Sequence, residues 1–519
     1  MSFSSDLSDI SLSLVSHTNA GKTTLARTLL GREVGTVRDA PHVTEFAEVF
    51  TMIETPHRER LLLWDTPGFG DSLRLVKRLR ASAHPIGGLV AEVWDRWRDR
   101  PFWASQQAIK NVRDEADVML YLVNASESTE AAGYVAPEME LLGWIDKPVI
   151  VLLNQLGAPR LDGPGGGALE DTDLQRWRTH LARYPHVRGV LPLDAFARCW
   201  VQEGTLLLAI ETVLPAASGA LMARLRAAWS ARQRQVFEAA MASLAASLAR
   251  LAGAFVALPD QTTIKARLRR LGSAIGGLVD GGSASSAPIA RAQSMLAEKL
   301  DAEVRANTAE LIALHGIEGQ AQGEISARLT SHFALRLRLD EGKAAVWGGM
   351  VSGALVGLKA DILSGGLTLG GGLLAGGLAG ALGAAGLARC VNLVRGTDRS
   401  FVAWNAEALD QLLEAALLRY LAVAHFGRGR GEWARSESPP HWPQVIRQAL
   451  APHRDALRRL WHERDAGHAA SEPEASGGHS IAEALVGVLR EVAADTLRAL
   501  YPDAPPLRES AQHPATPPQ

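Results

Sequence analysis

The chain has 519 residues, 47% hydrophobic and 21% charged, with 54 Lys and Arg against 56 Asp and Glu. That length exceeds one ordinary domain, and the balanced charge excludes the overall basic excess of an electrostatic DNA or RNA binder. Two distant cysteines, Cys199 and Cys390, exclude a disulfide framework and a cysteine-based zinc site and fit a reducing cytoplasm.

The opening "MSFSSDLSDISLSLV" is acidic where a secretion signal is positive, so a cytosolic N-terminal half is expected. From about residue 10 to 215, short apolar runs such as "ISLSLVS", "RLLLWDT", "ADVMLYLVNAS" and "KPVIVLLNQ" alternate with amphipathic stretches. This alternation predicts an α/β domain over 1–215 with a mostly parallel sheet.

At its start, "SLSLVSHTNAGKTTLARTLLG" sets Gly21-Lys22-Thr23-Thr24 between a strand and a helix. Such a loop binds phosphate because successive backbone N–H groups point inward and the helix N-terminus adds positive potential. Lys22 is expected at the outer phosphates and the Thr23 hydroxyl on Mg²⁺. Ser16 stands where the loop's first glycine is usual, and its Cβ predicts weakened rather than abolished phosphate binding.

Further on, "GTVRDAPHVTEF" offers Thr44 as a switch-loop threonine that completes the metal site when a third phosphate is present. "RLLLWDTPGFGDS" ends a strand in Asp-Thr-Pro-Gly, placing Asp65 to organise the magnesium shell and the Gly68 N–H at a terminal phosphate. The following insertion carries Trp94, Trp97 and Trp103 among Arg and Lys. An amphipathic helix with its tryptophans packed inward is preferred there over an effector or lipid surface.

Beyond Pro215 strand signals fade. Met241, Leu244, Leu248, Leu251 and Phe255, then Leu296, Leu300, Val304 and Leu311, recur at helical spacing, predicting a helical region over 216–343. Residues 344–395 form a Gly/Ala-rich hairpin segment in which 362–388 is uncharged and long enough to cross a bilayer. Two readings stand. One is a membrane-inserting hairpin over 344–388 anchored by Arg389, Arg395 and Arg399; the other is a glycine-zippered hairpin buried among soluble helices. "SFVAWNAEALDQLLEAALLRYLAVAHFG" and "SIAEALVGVLREVAADTLRALY" read as helices of a C-terminal region over 396–502, and 503–519 as a disordered tail.

The motifs "SHTNAGKTTL", "APHVT" and "DTPGFGD" together resemble the Era-like (TrmE/Era-type, translation-factor-class) bacterial P-loop GTPases across about the first 215 residues. The whole chain resembles bacterial proteins in which such a domain precedes a C-terminal helical domain of unknown function. The resemblance implies an α/β P-loop NTPase domain followed by a mainly α-helical domain. It also implies slow Mg²⁺-dependent hydrolysis of GTP as a molecular switch, with Lys22, Thr44 and Gly68 as catalytic groups and Thr23, Thr44 and Asp65 as the magnesium set. Asn19 matches an asparagine that in several relatives coordinates an activating K⁺. Phe69 replaces the catalytic glutamine of Ras-like enzymes. The implied nucleotide set is Ser16, Asn19, Ala20, Gly21, Lys22, Thr23, Thr24, Asp65, Asn154 and Gln155.

The base motif departs from the family's Asn-Lys-x-Asp, keeping Asn154 but holding Gln155 and Gly157 in place of lysine and aspartate. Loss of that carboxylate predicts a guanine preference reduced by about one to two orders of magnitude. Guanine nucleotide is the partner expected and DNA is not. Homodimerisation, the protein partner and an inner-membrane association through 344–388 stay open. Two other functions stay open with them: a pseudo-GTPase scaffold bearing a membrane-associated helical domain, and a ribosome or RNA assembly GTPase.

Overall fold

The computed structural model describes residues 8–18, 20–31, 47–80, 100–154, 168–193, 199–258, 286–317, 391–395, 400–425, 441–470, 476–502 and 504. The chain forms two compact units, one of Met1–Gln235, Ala424–Pro439 and Tyr501–Gln519, the other of Val236–Val423 and Pro440–Leu500.

The first unit is built on a six-stranded sheet of β1 (Asp9–Ser16), β2 (Glu48–Glu54), β3 (Arg60–Asp65), β4 (Val118–Asn124), β5 (Val149–Asn154) and β6 (Val187–Pro192), in the order β2-β3-β1-β4-β5-β6. Only β2 runs antiparallel, against β3; the other pairings are parallel. β4 and β5 are apolar at every position but the last, as a sheet covered on both faces requires. Their side chains divide with period two. Met119, Tyr121 and Val123 join Val15, Phe69, Leu75, Phe102 and Trp177 on one face. Val118, Leu120 and Leu122 join Leu12, Leu14, Leu25, Leu207 and Trp229 on the other.

The described helices of this unit are α1 (Lys22–Leu30), α2 (Ser72–Arg80), α3 (Arg100–Glu115), α4 (Val135–Gly143), α5 (Ala168–Leu181), α6 (Trp200–Val213) and the beginning of α7 (Ala216–Ala252). Parallel register brings the C-terminal ends of β1 and β3 level, with Leu14 opposite Asp65, and those of β4 and β5 level, with Asn124 opposite Asn154. Loops leaving these ends therefore meet at one edge, where ligands bind in open α/β sheets. Within the insertion, Trp103 on α3 is buried as the inward-packed reading expects; Phe102 beside it is buried too, with Arg74 4.5 Å over its ring. Trp94 and Trp97 lie outside the described residues.

The second unit is mainly helical: the remainder of α7, then α8 (Ser286–Leu314), α9 (Ala406–Ala424), α10 (Trp442–Leu450), α11 (Arg454–Ala470) and α12 (Ser476–Leu500). Met241, Leu244, Leu248 and Leu251 on α7, and Leu296, Leu300, Val304 and Leu311 on α8, are all buried. Two sequence expectations are corrected. Phe255 does not extend the α7 stripe, because the helix stops at Ala252 before Gly253 and Phe255 begins β7 (Phe255–Leu258). "SFVAW" is not helical; Ser400–Trp404 is β9, the middle strand of an antiparallel sheet β7-β9-β8 whose third strand is β8 (Val391–Arg395). Three β-branched or aromatic residues in five favour a strand there, and Asn405 starts the next helix by accepting the Ala408 N–H at 2.8 Å. Arg395 thus ends a strand, and residues 344–388 lie outside the described residues. Among the described residues no helix is long and apolar enough to cross a membrane.

Candidate functional site

The site begins where β1 turns into α1. Gly21 caps α1 with φ of +93°, a left-handed conformation that disfavours other residues, and a Cβ there would lie 3.0 Å from Asn154 Nδ2. Asn154, at the end of β5, donates from Nδ2 to the Ala20 carbonyl at 3.1 Å. The loop is therefore tied to the neighbouring strand end at the point where its backbone is most constrained.

Ser16 occupies the position usual for the first loop glycine without backbone strain. Among the described residues only Arg58 and Asp146 are non-glycines with positive φ. Its hydroxyl is engaged on both sides: Lys22 Nζ donates to Ser16 Oγ at 2.9 Å, and Ser16 Oγ donates to the His17 carbonyl at 2.6 Å. Lys22 itself is buried. Burial pushes its ammonium down to about 8, opposed by the charges of Asp65 and Glu138.

The end of β3 closes over the loop. Phe69 N donates to the Ser16 carbonyl at 2.9 Å, while Thr18 N and Thr18 Oγ1 donate to the Phe69 carbonyl at 3.2 and 2.9 Å. Gly68 is held so close that a Cβ would fall 2.9 Å from Thr18 Cα and 3.0 Å from Lys22 Nζ, so only glycine fits. The Phe69 side chain is fully buried in the sheet's core.

The structure brings Thr23 and Asp65 together, with Thr23 Oγ1 donating to Asp65 Oδ2 at 2.6 Å. Asp65 Oδ1 is buried and has no hydrogen-bond partner among the described residues. Burial raises the carboxyl's pKa, opposed by Thr23 and by the charge of Lys22. A buried carboxylate oxygen without a partner, beside a hydroxyl, is a hard-oxygen donor set that suits Mg²⁺. Thr24 is buried on α1 and Ala20 in the loop. The remaining predicted site residues, Asn19, Thr44 and Gln155, lie outside the described residues, as does Gly157.

Sequence reasoning missed what lies behind the loop. His17 Nδ1 sits 2.8 Å from Glu138 Oε1, Tyr121 OH donates to Glu138 Oε2 at 2.6 Å, and the His17 ring stacks on Tyr134 with centroids 4.4 Å apart. Glu138 is wholly buried, and burial raises its carboxyl's pKa against the opposing hydrogen bond from His17. The available signal was an acid on the apolar side of "VAPEMELLG", three residues after Val135 and three before Leu141, both buried.

Residues 11–155 match the family model described as a 50S ribosome-binding GTPase, and residues 178–486 match the domain of unknown function DUF3482. No curated protein matches the sequence. Among solved structures, a variant of Aquifex aeolicus Era bound to GDP and aluminium fluoride is 20% identical over 40% of this chain and 57% of that one, with a TM-score of 0.28. Era in complex with MgGDPNP and nucleotides 1506–1542 of 16S ribosomal RNA is 19% identical over 40% and 58%, also at 0.28. A GTP-binding protein from Sulfolobus solfataricus in complex with GDP is 17% identical over 42% and 53%, at 0.24. The chain thus spans little more than half the length of these proteins. With the DUF3482 model covering most of its length, the chain belongs to the DUF3482 family, and its N-terminal part is a GTP-binding P-loop GTPase domain.

Proposed function

We propose that the protein is a slow, Mg²⁺-dependent GTPase that works as a molecular switch. The observation that carries this is the convergence of Lys22, Thr23, Asp65 and Gly68 at the ends of β1 and β3, each in a position suited to phosphate or metal. Lys22 would hold the outer phosphate oxygens, and the Gly68 N–H would meet the terminal phosphate. Thr23 and Asp65 would hold the magnesium, which when bound neutralises charge on the phosphates. Thr44 would join them from the switch loop, and Asn19 would support a potassium ion; both roles come from the family resemblance. Phe69 is buried, so water is not positioned by the side chain at residue 69.

The test is titration of the full chain with fluorescent GTP and ATP analogues and Mg²⁺, in potassium and in sodium, followed by hydrolysis assays. GTP-selective binding with turnover supports the reading. Mg²⁺-dependent binding without base preference keeps the phosphate site and removes the guanine assignment, and no binding favours a scaffold. A cytoplasmic location with inner-membrane association through 344–388 is the accompanying proposal, tested by fractionating the chain with and without 362–388.

A further inference from the structure

We infer that Ser16, His17 and Glu138 form a positioning chain for Lys22, through which α4 sets the place of the ammonium that meets the transferring phosphoryl group. The inference rests on the GTPase reading above. Glu138 is the starting point because a wholly buried carboxylate is costly unless its oxygens are satisfied. Here one faces His17 Nδ1 at 2.8 Å and the other accepts from Tyr121 OH at 2.6 Å. Tyr134 covers the face of the His17 ring, 18° from parallel. The loop's second residue is therefore fixed at ring edge and ring face by the same end of α4.

His17 passes this constraint on through its backbone. Its carbonyl accepts Ser16 Oγ at 2.6 Å, and Ser16 Oγ accepts Lys22 Nζ at 2.9 Å. A hydroxyl has one proton. With that proton committed to His17, a lone pair of Ser16 must face Lys22, so the polarity of the chain is set. An ammonium has three donors; Ser16 takes one and leaves two for phosphate oxygens. A lysine otherwise swings on a flexible four-carbon stem, and a charge held in place before reaction acts most strongly on the transition state. Glycine at residue 16 would supply no such acceptor, which gives the departure from the usual loop a function.

The test uses the full chain and its Ser16→Ala, Glu138→Gln and double variants, reading the Kd for a fluorescent GDP analogue and the single-turnover rate of GTP hydrolysis. Each single variant is expected to slow hydrolysis about tenfold while the GDP Kd stays within about threefold. The double variant should be no slower than the slower single one, because both cut the same chain. Single variants at the wild-type rate, or losses that multiply in the double variant, overturn the inference. If Glu138→Gln unfolds, His17→Asn, which keeps a donor near the Nδ1 position, should retain more activity than His17→Ala; equal losses overturn the inference. A wild-type chain that binds no nucleotide overturns the GTPase reading itself, and that failure is seen before any variant is made.

Discussion

Lys22 in the first unit and Arg419 in the second are both buried cations, and they are held in different ways. Burial pushes Lys22 down to about 8 and Arg419 down to about 10. Lys22 stands at the end of β1 under the charges of Asp65 and Glu138, bonded to a loop hydroxyl. Arg419 lies within a helical core, where Nη2 donates to Asn307 Oδ1 at 2.7 Å, Asn307 Nδ2 to Ser243 Oγ at 2.8 Å, and Ser243 Oγ to Glu310 Oε2 at 2.6 Å. The first arrangement leaves donors for an incoming anion. The second directs Nη2 into a chain that ties α7, α8 and α9 together. A buried cation is therefore informative about function only together with its partners.

The sharpest way to break this contrast is to remove each cation. Lys22→Ala loses two or more charge-assisted hydrogen bonds, each worth about 1.5–3 kcal/mol, so triphosphate should bind at least about 100-fold more weakly in a fluorescence titration. Arg419→Met leaves Asn307 Oδ1 buried without this donor, a cost of about 1–3 kcal/mol that should appear as a lower urea midpoint. Its triphosphate Kd should stay within about twofold of wild type. A loss of nucleotide binding in Arg419→Met as large as that in Lys22→Ala would end the distinction.

The Lys22 half of this contrast was legible in the sequence, and the other half was not. Alternating apolar runs located β1, β3, β4 and β5, and with them the meeting of Lys22, Thr23, Asp65 and Gly68, because a parallel register brings strand ends together. Ser16 read as a weakened glycine position, since its hydroxyl's value depends on the three-dimensional path of the loop back to Lys22. Glu138 lies 121 residues from His17, and no local pattern announces such a pair. In the helical unit, apolar spacing found α7 and α8 but ran through Gly253 into Phe255 and across "SFVAW". Gly253 beyond the last helical residue and Asn405 before "AEALD" were the stop and start signals that local chemistry offered.

A pH series sharpens the comparison through the lysine alone. Between about 8 in the folded chain and its ordinary 10.5, Lys22 has lost a proton that the unfolded chain still carries. Its contribution to folding stability should therefore rise with pH across that window. Affinity for an anionic triphosphate should move the other way, falling by up to about tenfold per pH unit above 8, because the neutral amine no longer attracts phosphate. Arg419, pushed down only to about 10, keeps its charge between pH 8 and 10, so the series is read below pH 10. Nucleotide Kd measured across this range at fixed ionic strength, with Lys22→Ala as reference, checks the sign; a flat wild-type profile through pH 8 would show that Lys22 keeps its proton there.

The smallest expected effect concerns Asn154, which sequence reading assigns to the base and the structure binds to the loop. Its Nδ2 donates to the Ala20 carbonyl at 3.1 Å and lies 3.0 Å from where a Cβ on Gly21 would sit. A neutral hydrogen bond of this kind contributes about 0.5–1.5 kcal/mol, so Asn154→Ala should weaken nucleotide binding by roughly two- to tenfold. If the side chain acts through the loop, GTP and ATP analogues should lose affinity in equal proportion, because loop geometry is felt by phosphates that both share. A loss confined to the GTP analogue would show that Asn154 reads the base and that guanine recognition survives without an aspartate at position 157.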